Sequence, residues 1–323
     1  MMVLGIESSA HTLGIGVISD KDILVDERSV YIPAEGKGII PREASQHHCE
    51  NLRKILMMVL DKVDIKDIDV IAFTAGPGMP PCLRIGATVA RCLALKYKKP
   101  LILVNHCVAH IEVGRFVTGC KDPVVLYLSG GNTQVIAFVE GRYRIFGETE
   151  DIPIGNALDM LAREIGLNMP GGPQIEKLAK KGKYIELPYV VKGMDLSFAG
   201  IVTEAVKKYK NGAKREDIAY SFQEVCFSML TEVTERAMAH TDKEEVLLVG
   251  GVAANKRLQE MIRIMCEERG AKFYVVPQKY AGDNGVMIAV VGLLAYKKIK
   301  KGWRVEETMI KPKWRTDEVD IYW

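Results

Sequence analysis

Apolar positions along the chain fall into two similar series. Val3-Leu4-Gly5-Ile6-Glu7 and Leu13-Gly14-Ile15-Gly16-Val17-Ile18 flank the small-residue turn Ser8-Ser9-Ala10-His11-Thr12, which predicts a β-hairpin, and Ile23 to Ser29 predicts a third strand. From Ser45 to Val63 apolar side chains return every three or four residues (Leu52, Ile55, Leu56, Val59, Leu60, Val63), the spacing of one helix face. Val70 to Thr74 reads as a buried strand running into Ala75-Gly76-Pro77-Gly78. A helix from about Leu83 to Tyr97 and a strand from Pro100 to Val104 follow. The order then recurs. Val124 to Leu128 is a strand, Ser129-Gly130-Gly131-Asn132-Thr133 a turn, Gln134 to Val139 its hairpin partner and Gly141 to Glu148 a third strand. Helices come next, then the strand Glu245 to Val249, the run Gly250-Gly251-Val252-Ala253-Ala254-Asn255, a helix from Lys256 to Glu268, and a strand from Phe273 to Val276. A helix from Asp283 to about Lys298 closes the series. Two copies of one order predict two α/β domains of one topology facing across a cleft. We place them at 1–121 and 122–283, with the C-terminal helix of 284–323 packing back on the first.

Composition agrees with this division. At 323 residues the chain is long for one core. Hydrophobic residues at 48% and charged residues at 26% describe a soluble globular protein. No apolar run is long enough to span a bilayer, and the N-terminus enters a strand without a basic leader. Cys49, Cys82, Cys92, Cys107, Cys120, Cys226 and Cys266 form no CxxC, and their odd number fits no closed disulfide framework. Reduced core cysteines point to the cytoplasm. A net charge of +3 neither requires nor excludes a nucleic-acid partner. Lysines and arginines bunch at 96–99, 177–183, 207–215 and 297–304, and the last three follow helical patterns, so they read as solvated helix faces.

Three features carry chemistry. His106 and His110 are two of only six histidines, and helical i, i+4 spacing puts both imidazoles on one face, within reach of one ion. The competing reading is a pair of hydrogen-bonded core or surface histidines. Both hairpin turns are built from Ser, Thr and Gly, which supply convergent donors for a phosphate but also suit any tight hairpin. Gly250-Gly251 at a strand end before a helix suits a nucleoside or phosphate near a helix N-terminus, or is an ordinary strand-to-helix turn.

Gly5-Ile6-Glu7-Ser8-Ser9, Ser129-Gly130-Gly131-Asn132-Thr133 and Gly250-Gly251-Val252-Ala253-Ala254-Asn255 resemble the phosphate and adenosine motifs of the actin–Hsp70–sugar kinase superfamily. With His106-x-x-x-His110, Pro170-Gly171-Gly172-Pro173-Gln174-Ile175-Glu176-Lys177-Leu178, Ser197-Phe198-Ala199-Gly200 and Gly282-Asp283-Asn284-Gly285, the chain resembles the tRNA N6-adenosine threonylcarbamoyltransferase family. That family was once labelled an O-sialoglycoprotein endopeptidase. The resemblance runs from Gly5 to Arg315-Thr316-Asp317-Glu318-Val319. The first hairpin and the tail Ile310-Lys311-Pro312-Lys313-Trp314-Arg315 look like the archaeal and eukaryotic branch, which works within the KEOPS complex. Ala199 departs from the family's Ser-Phe-Ser-Gly, which puts one local hydroxyl contact in doubt.

The resemblance implies two RNase H-like domains about a nucleotide-binding cleft. It also implies transfer of a threonylcarbamoyl group from threonylcarbamoyl-AMP to N6 of adenosine 37, in tRNAs reading codons that begin with A, with release of AMP. It makes His106, His110 and Asp283 ligands of one divalent metal, Fe(II) or Zn(II), with Tyr127 close to or within the coordination sphere. Tyr127, Leu128, Ser129, Gly130, Gly131, Asp159, Gly172, Glu176 and Asn255 would contact the nucleotide, and ATP can occupy the same site. Ser129 to Gly131 would reach the phosphate, with Asp159, Glu176 and Asn255 at the ribose and adenine end. The implied partners are tRNA, an atypical RIO-like kinase, and small dimerising and bridging subunits, with no membrane.

The chemistry is consistent with these roles. An exocyclic adenine amine is a poor nucleophile, so the acyl donor arrives activated as a mixed anhydride, and polarising its oxygens suits a Lewis-acidic ion. Two histidines and one carboxylate leave positions open and suit Fe(II) or Zn(II) rather than Mg. Asp283 precedes a predicted helix, where an aspartate also serves as an N-cap. Glu7 would steer a water or ion near the phosphates, or pair with a basic neighbour. No side chain stands out as a general base. A zincin-type protease needs glutamate directly after the first histidine, and Cys107 stands there. A kinase or ATPase switch of the same superfamily would want Mg-binding carboxylates and gains nothing from the histidines. A non-catalytic nucleotide-binding scaffold is the third alternative, separated from the transferase by a turnover assay with the adenylate and tRNA.

Overall fold

The computed structural model describes residues 1–33 and 38–323. β1 (Val3–Glu7) and β2 (Thr12–Ile18) are buried at every position, which is why they read as continuous apolar runs rather than as an alternation. They pair antiparallel with Val3 opposite Ile18, and β3 (Ile23–Val30) adds antiparallel to the outside of β2. α1 (Pro41–Leu60) begins at Pro41 rather than Ser45, because proline fits the first helical position, where no N–H is needed. β4 (Val70–Gly76), the crossover helix α2 (Pro80–Tyr97) and the parallel strand β5 (Leu101–Asn105) complete a sheet of order β3-β2-β1-β4-β5. α3 (His106–Thr118) follows β5 with no intervening loop.

The second series repeats this topology. β6 (Val124–Leu128), β7 (Thr133–Val139) and β8 (Arg142–Glu148) form the antiparallel run. There follow α4 (Ile154–Glu164), α5 (Gly171–Ala179), the short ladder of β9 (Val191–Lys192) and β10 (Asp195–Leu196), α6 (Ala199–Lys210) and α7 (Arg215–Thr241). β11 (Glu245–Val249), α8 (Lys256–Glu268), β12 (Lys272–Val275) and α9 (Gln278–Ala281) end the series. The sheet order is β12-β11-β6-β7-β8, the first sheet's order with corresponding strands in corresponding places. α10 (Gly285–Ile299) closes the helical part of the chain.

The chain divides into two compact units. One contains Met1–Phe116, Gly141–Tyr143 and Gly282–Trp323; the other contains Val117–Glu140 and Arg144–Ala281. In the first unit α10 crosses β1, β2, β4 and β5 at unusually close range. A Cβ on Gly5 would lie 2.3 Å from the Ala289 nitrogen, and one on Gly16 2.5 Å from the Val286 nitrogen. One on Gly285 would lie 2.0 Å from the Gly16 nitrogen. Glycine is needed here for approach of backbone to backbone, with helix almost touching sheet. α10 ends at Ile299, where the periodicity to about Lys298 placed it, so the segment 284–323 is helical only in its first part. The rest of the tail carries only 3-10 turns at Val305–Glu307 and Thr316–Glu318 and lies along β5 through the bridge from Trp303 to Leu101. No helix of the described residues is long and apolar enough to cross a membrane.

His48 on α1 is fully buried, with Nε2 3.0 Å from the Ala10 carbonyl oxygen. Burial, helped by neighbouring His47, lowers its pKa to about 4 against the opposing hydrogen bond. The unfolded chain therefore takes up this proton from about pH 6.5 downward while the folded chain resists until about 4. Stability from neutral His48 is complete above that window and is lost as pH falls through it. Denaturant midpoints measured from pH 7 to 4 should drop more steeply for the native chain than for His48→Asn; parallel profiles would contradict this.

Candidate metal centre and nucleotide site

The side chain of Asn105 starts α3. Its Oδ1 accepts from the backbone N–H groups of Cys107 (2.9 Å) and Val108 (3.1 Å), satisfying two donors that the helix cannot. Its Nδ2 donates to the Trp314 carbonyl at 3.1 Å, so one buried amide joins strand, helix and tail. Asn105 went unread as a cap in the sequence, although an asparagine just before a helical pattern is a start signal. His106 and His110 then stand one turn apart, both buried, with ring centroids 4.8 Å apart and planes at 85°.

Asp283 comes to this pair from the other end of the chain. The cap of α10 is Asn284, whose Oδ1 accepts from the Met287 N–H at 2.9 Å, so the N-cap reading of Asp283 is set aside. The Asp283 carboxylate instead places Oδ1 3.2 Å from His110 Nε2 and 3.5 Å from His106 Nε2. Ligand atoms about 2.1 Å from a tetrahedral ion are about 3.4 Å from one another, so these are the spacings of a shared ion. The three side chains offer one ligand atom each within 4.8 Å of one another, and two imidazole nitrogens with a carboxylate oxygen suit a borderline-soft divalent cation.

Glu7, fully buried at the end of β1, stands behind the cluster. Its Oε2 lies 3.1 Å from His106 Nδ1 and accepts from the Thr74 hydroxyl at 2.5 Å, while Oε1 accepts from the Ser9 N–H at 2.5 Å. Of the two roles left open for Glu7, the geometry gives it a basic neighbour, His106. A carboxylate on the far ring nitrogen fixes the imidazole tautomer so that Nε2 presents its lone pair. Burial would lower His106, but the charges of Glu7 and Asp283 outweigh it and raise His106 to about 9. Burial favours a neutral Asp283, yet the His106 and His110 partners hold it well below the usual carboxylate range. His110 is lowered, chiefly by burial. Two carboxylates facing two imidazoles make a site that favours added positive charge, which a divalent cation would supply in place of a proton.

A second buried carboxylate anchors α3 two residues beyond His110. Glu112 Oε1 accepts from the Tyr143 hydroxyl (2.7 Å), Trp323 Nε1 (3.0 Å) and Arg115 Nη1 (3.1 Å). In the first hairpin turn the hydroxyls of Ser8 and Ser9 are buried with no hydrogen-bond partner among the described residues.

The second unit holds the other predicted residues. Tyr127 is fully buried on β6, its hydroxyl 3.5 Å from Asn132 Nδ2. After Leu128 the chain folds on itself: the Ser129 N–H donates to the Asn132 carbonyl (2.8 Å), and Ser129 Oγ accepts from the N–H groups of Gly131 (3.2 Å) and Asn132 (2.9 Å). A Cβ on Gly130 or Gly131 would meet nothing within 4 Å, and neither needs a left-handed backbone. Gly250 differs, with φ +90° and a Cβ that would lie 2.2 Å from the Leu128 carbonyl oxygen. Gly155, in the first turn of α4, is held to glycine by the Ser129 carbonyl oxygen at 2.6 Å.

Asp159, Glu176 and Asn255 all meet helix N-termini. Asp159 Oδ1 accepts from the Gly171 N–H at 2.7 Å at the start of α5, and the Gly172 N–H also bonds this carboxylate; burial raises its pKa against these donors. Glu176 Oε1 accepts from the Lys256 N–H (2.8 Å) at the start of α8. Asn255 caps α8 through Arg257 and Leu258 N–H groups (2.9 and 3.2 Å), and its Nδ2 donates to Gln223 Oε1 (3.0 Å). The whole set gathers at the carboxyl ends of β6 and β11, adjacent parallel strands from which the chain leaves in different ways. That is where open α/β sheets bind ligands.

Solved structures share this architecture. HypF of Thermococcus kodakarensis superposes with a TM-score of 0.66 at 18% identity over 90% of this chain and 47% of that one. The likeness is one of fold, with two five-stranded α/β sheets of the same strand order. The family model described as "TsaD: tRNA N6-adenosine threonylcarbamoyltransferase" matches residues 23–290. A tRNA N6-adenosine threonylcarbamoyltransferase of Archaeoglobus fulgidus is 61% identical over the full length of both chains. A Methanocaldococcus jannaschii relative, named "Probable bifunctional tRNA threonylcarbamoyladenosine biosynthesis protein", is 53% identical over all of this chain and 60% of its own length. The chain belongs to the tRNA N6-adenosine threonylcarbamoyltransferase family.

Glu7→Gln keeps the shape of the side chain but removes the charge behind His106. Affinity for Zn(II) or Co(II), measured by competition with a chelator, should fall about 10- to 100-fold. Unchanged affinity would show that Glu7 does not support the metal ligands.

Proposed function

We propose that this chain transfers the threonylcarbamoyl group from threonylcarbamoyl-AMP to N6 of adenosine 37 of tRNA, with His106, His110 and Asp283 holding one divalent ion, Fe(II) or Zn(II). The observation that carries the assignment is the meeting of two imidazoles and a carboxylate at single-ion spacing, with buried Glu7 behind one of them. In the reaction the carbamoyl carbon gains a bond to N6 and loses its bond to the phosphate oxygen, AMP departs, and N6 gives up a proton. The ion, when bound, supplies Lewis acidity toward oxygens of the donor.

The chain's own residues bind and orient. The Ser129-Gly130-Gly131 turn takes the phosphate, its two glycines leaving the backbone open to close approach. Leu128 and Gly172 line the same set, and Asp159, Glu176 and Asn255 take the ribose and adenine end while holding the N-termini of α5 and α8 in place. Glu7 keeps His106 in one tautomer. The reading places the chain in the cytoplasm as the catalytic subunit of KEOPS, with a RIO-like kinase and small dimerising and bridging subunits. The additional length and bifunctional name of the Methanocaldococcus jannaschii relative support a second activity working beside this one.

Metal-loaded protein with partner subunits, threonylcarbamoyl-AMP and tRNA should yield modified adenosine by nucleoside mass spectrometry; its absence would overturn the function. His110→Ala should lose most of the metal and the product together, since two remaining ligands make a poor site. Full metal occupancy in a His106→Ala/His110→Ala double variant would remove the metal assignment.

Gly130→Val should fold normally, because a Cβ there meets no protein atom within 4 Å. It should bind AMP or ATP at least about tenfold more weakly, roughly the loss of one or two backbone hydrogen bonds, with metal content unchanged. Unaltered affinity in calorimetry would make the turn an ordinary hairpin.

A further inference from the structure

The two basic stretches that look like separate solvated helix faces in sequence are brought together in the second unit. α5 ends in the turn at 180–183, and α6 runs through Lys207 and Lys210 into the start of α7. A Cβ on Gly182 would lie 2.0 Å from the Glu216 carbonyl oxygen, and the Lys183 N–H donates to Asp217 Oδ1 at 2.7 Å. The turn after α5 is therefore seated on the first turn of α7. Across that junction Arg215 donates to the Tyr209 hydroxyl at 3.1 Å, with its guanidinium 5.7 Å from the ring centroid, which ties the end of α6 to α7. The result is one ridge of exposed cations from 177–183 and 207–215. Of these, only Lys207 forms an ion pair among the described residues, with Glu204 at 3.4 Å on its own helix.

Charge is unevenly spread along the chain. Residues 177–217 hold ten basic and five acidic side chains, so with an overall net charge of +3 the remainder is slightly acidic. One of those acids, Asp217, is engaged at the junction, its Oδ1 accepting from the Lys183 N–H.

The helices also relate the ridge to the candidate nucleotide set. α5 begins where Asp159 accepts from Gly171 and runs nine residues, about 13 Å, to the ridge. α6 begins where Asp151 accepts from the N–H groups of Phe198 and Ala199 (both 2.9 Å) and runs twelve residues, about 18 Å. A macromolecular substrate whose reacting base meets a donor held at the carboxyl ends of β6 and β11 extends past that point, and here it would meet concentrated positive charge.

We propose that the ridge formed by 177–183 and 207–215 binds the phosphate backbone of the tRNA, contributing affinity without reading sequence. This rests on the transferase function proposed above. Lysine-rich, solvated and lacking a fixed donor array, the ridge suits phosphate charge rather than base edges.

The test uses the full, metal-loaded chain and fluorescently labelled tRNA, with anisotropy titrations across a potassium chloride series. The native chain should give a shallow slope of log affinity against log salt, roughly −2 to −4. Lys181→Glu/Lys183→Glu and Lys207→Glu/Lys210→Glu should each weaken tRNA binding about tenfold and flatten the slope by about 1.5, two phosphate contacts' worth. AMP affinity, metal content and thermal midpoint should be unchanged, and the corresponding Lys→Gln variants should show a smaller loss in the same direction. Lys298→Glu/Lys301→Glu, on and beyond α10, should leave tRNA binding unaltered. Native-like affinity and slope in both ridge variants would overturn the proposal, as would an equal drop from the Lys298/Lys301 pair, because net charge rather than location would then be responsible. A chain that binds tRNA through the ridge yet forms no modified adenosine would support the ridge and sink the transferase reading instead.

Discussion

Helix α10 lies against bare sheet backbone, and the candidate metal centre depends on that approach. Gly5, Gly14 and Gly16 remove the side chains where the first turns of the helix cross β1 and β2, and Gly285 does the same on the helix; farther along, Gly292 makes room for Val3 and Ala72. At the first four, contacts that a Cβ would make at 2.0 to 2.8 Å leave no rotamer to choose and no flexible neighbour to move, since the opposing atoms are backbone. The first turn of α10 is thereby fixed to the sheet that carries Glu7, and Asn284 caps the helix, leaving the carboxylate of Asp283 to the imidazoles. An alanine at position 5 would displace the helix and with it one of the three ligand atoms. The glycines of the first hairpin serve this packing first; their small size does not of itself mean a phosphate site.

The electrostatics of the centre explain why its carboxylates have different roles. Glu7 has its oxygens engaged by Thr74, Ser9 and His106, so it is a poor candidate to take a proton from a substrate. It sits behind the histidine, whereas a hydrolytic zinc site wants its glutamate in front of the ion, next to the attacking water. Cys107, buried, occupies the position such a glutamate would need. The same helix that lacks a water-activating group is anchored by Glu112 to Tyr143, Arg115 and Trp323. Asn105 holds its other end. Such an arrangement keeps two candidate ligands still and, with an ion bound, would offer Lewis acidity with no built-in base, which suits acyl transfer from an activated donor.

The strands were legible because burial on both faces makes their apolar runs continuous, and the His106–His110 pair because helical periodicity is local. The end of α10 was legible from its periodicity, but its cap was misread by one residue, since Asp283 and Asn284 are both good caps and only packing decides between them. The tail beyond Ile299 follows β5, where a Cβ on Gly302 would lie 2.5 Å from the Leu101 nitrogen, a long-range demand with no local signature. Glu7 and His106 are 99 positions apart, and no spacing rule connects them. Asn255 was read as a ligand contact and is also a helix cap, a role that its place before Lys256 already signalled.

Glycines in the second unit separate into those the fold requires and those it does not. Gly250 is held by its positive φ and by the Leu128 carbonyl, and Gly155 by the Ser129 carbonyl, so both would be glycine in a protein that bound nothing. Gly130 and Gly131 have ordinary backbone and open space where a side chain would stand. Their turn is closed by Ser129 alone, through its hydroxyl and its N–H, so the hairpin would survive larger residues at both positions. Glycine there carries the entropy cost of a flexible residue with no gain in folding. In the proposed function that cost is offset by a phosphate approaching the backbone from outside, at the carboxyl ends of β6 and β11.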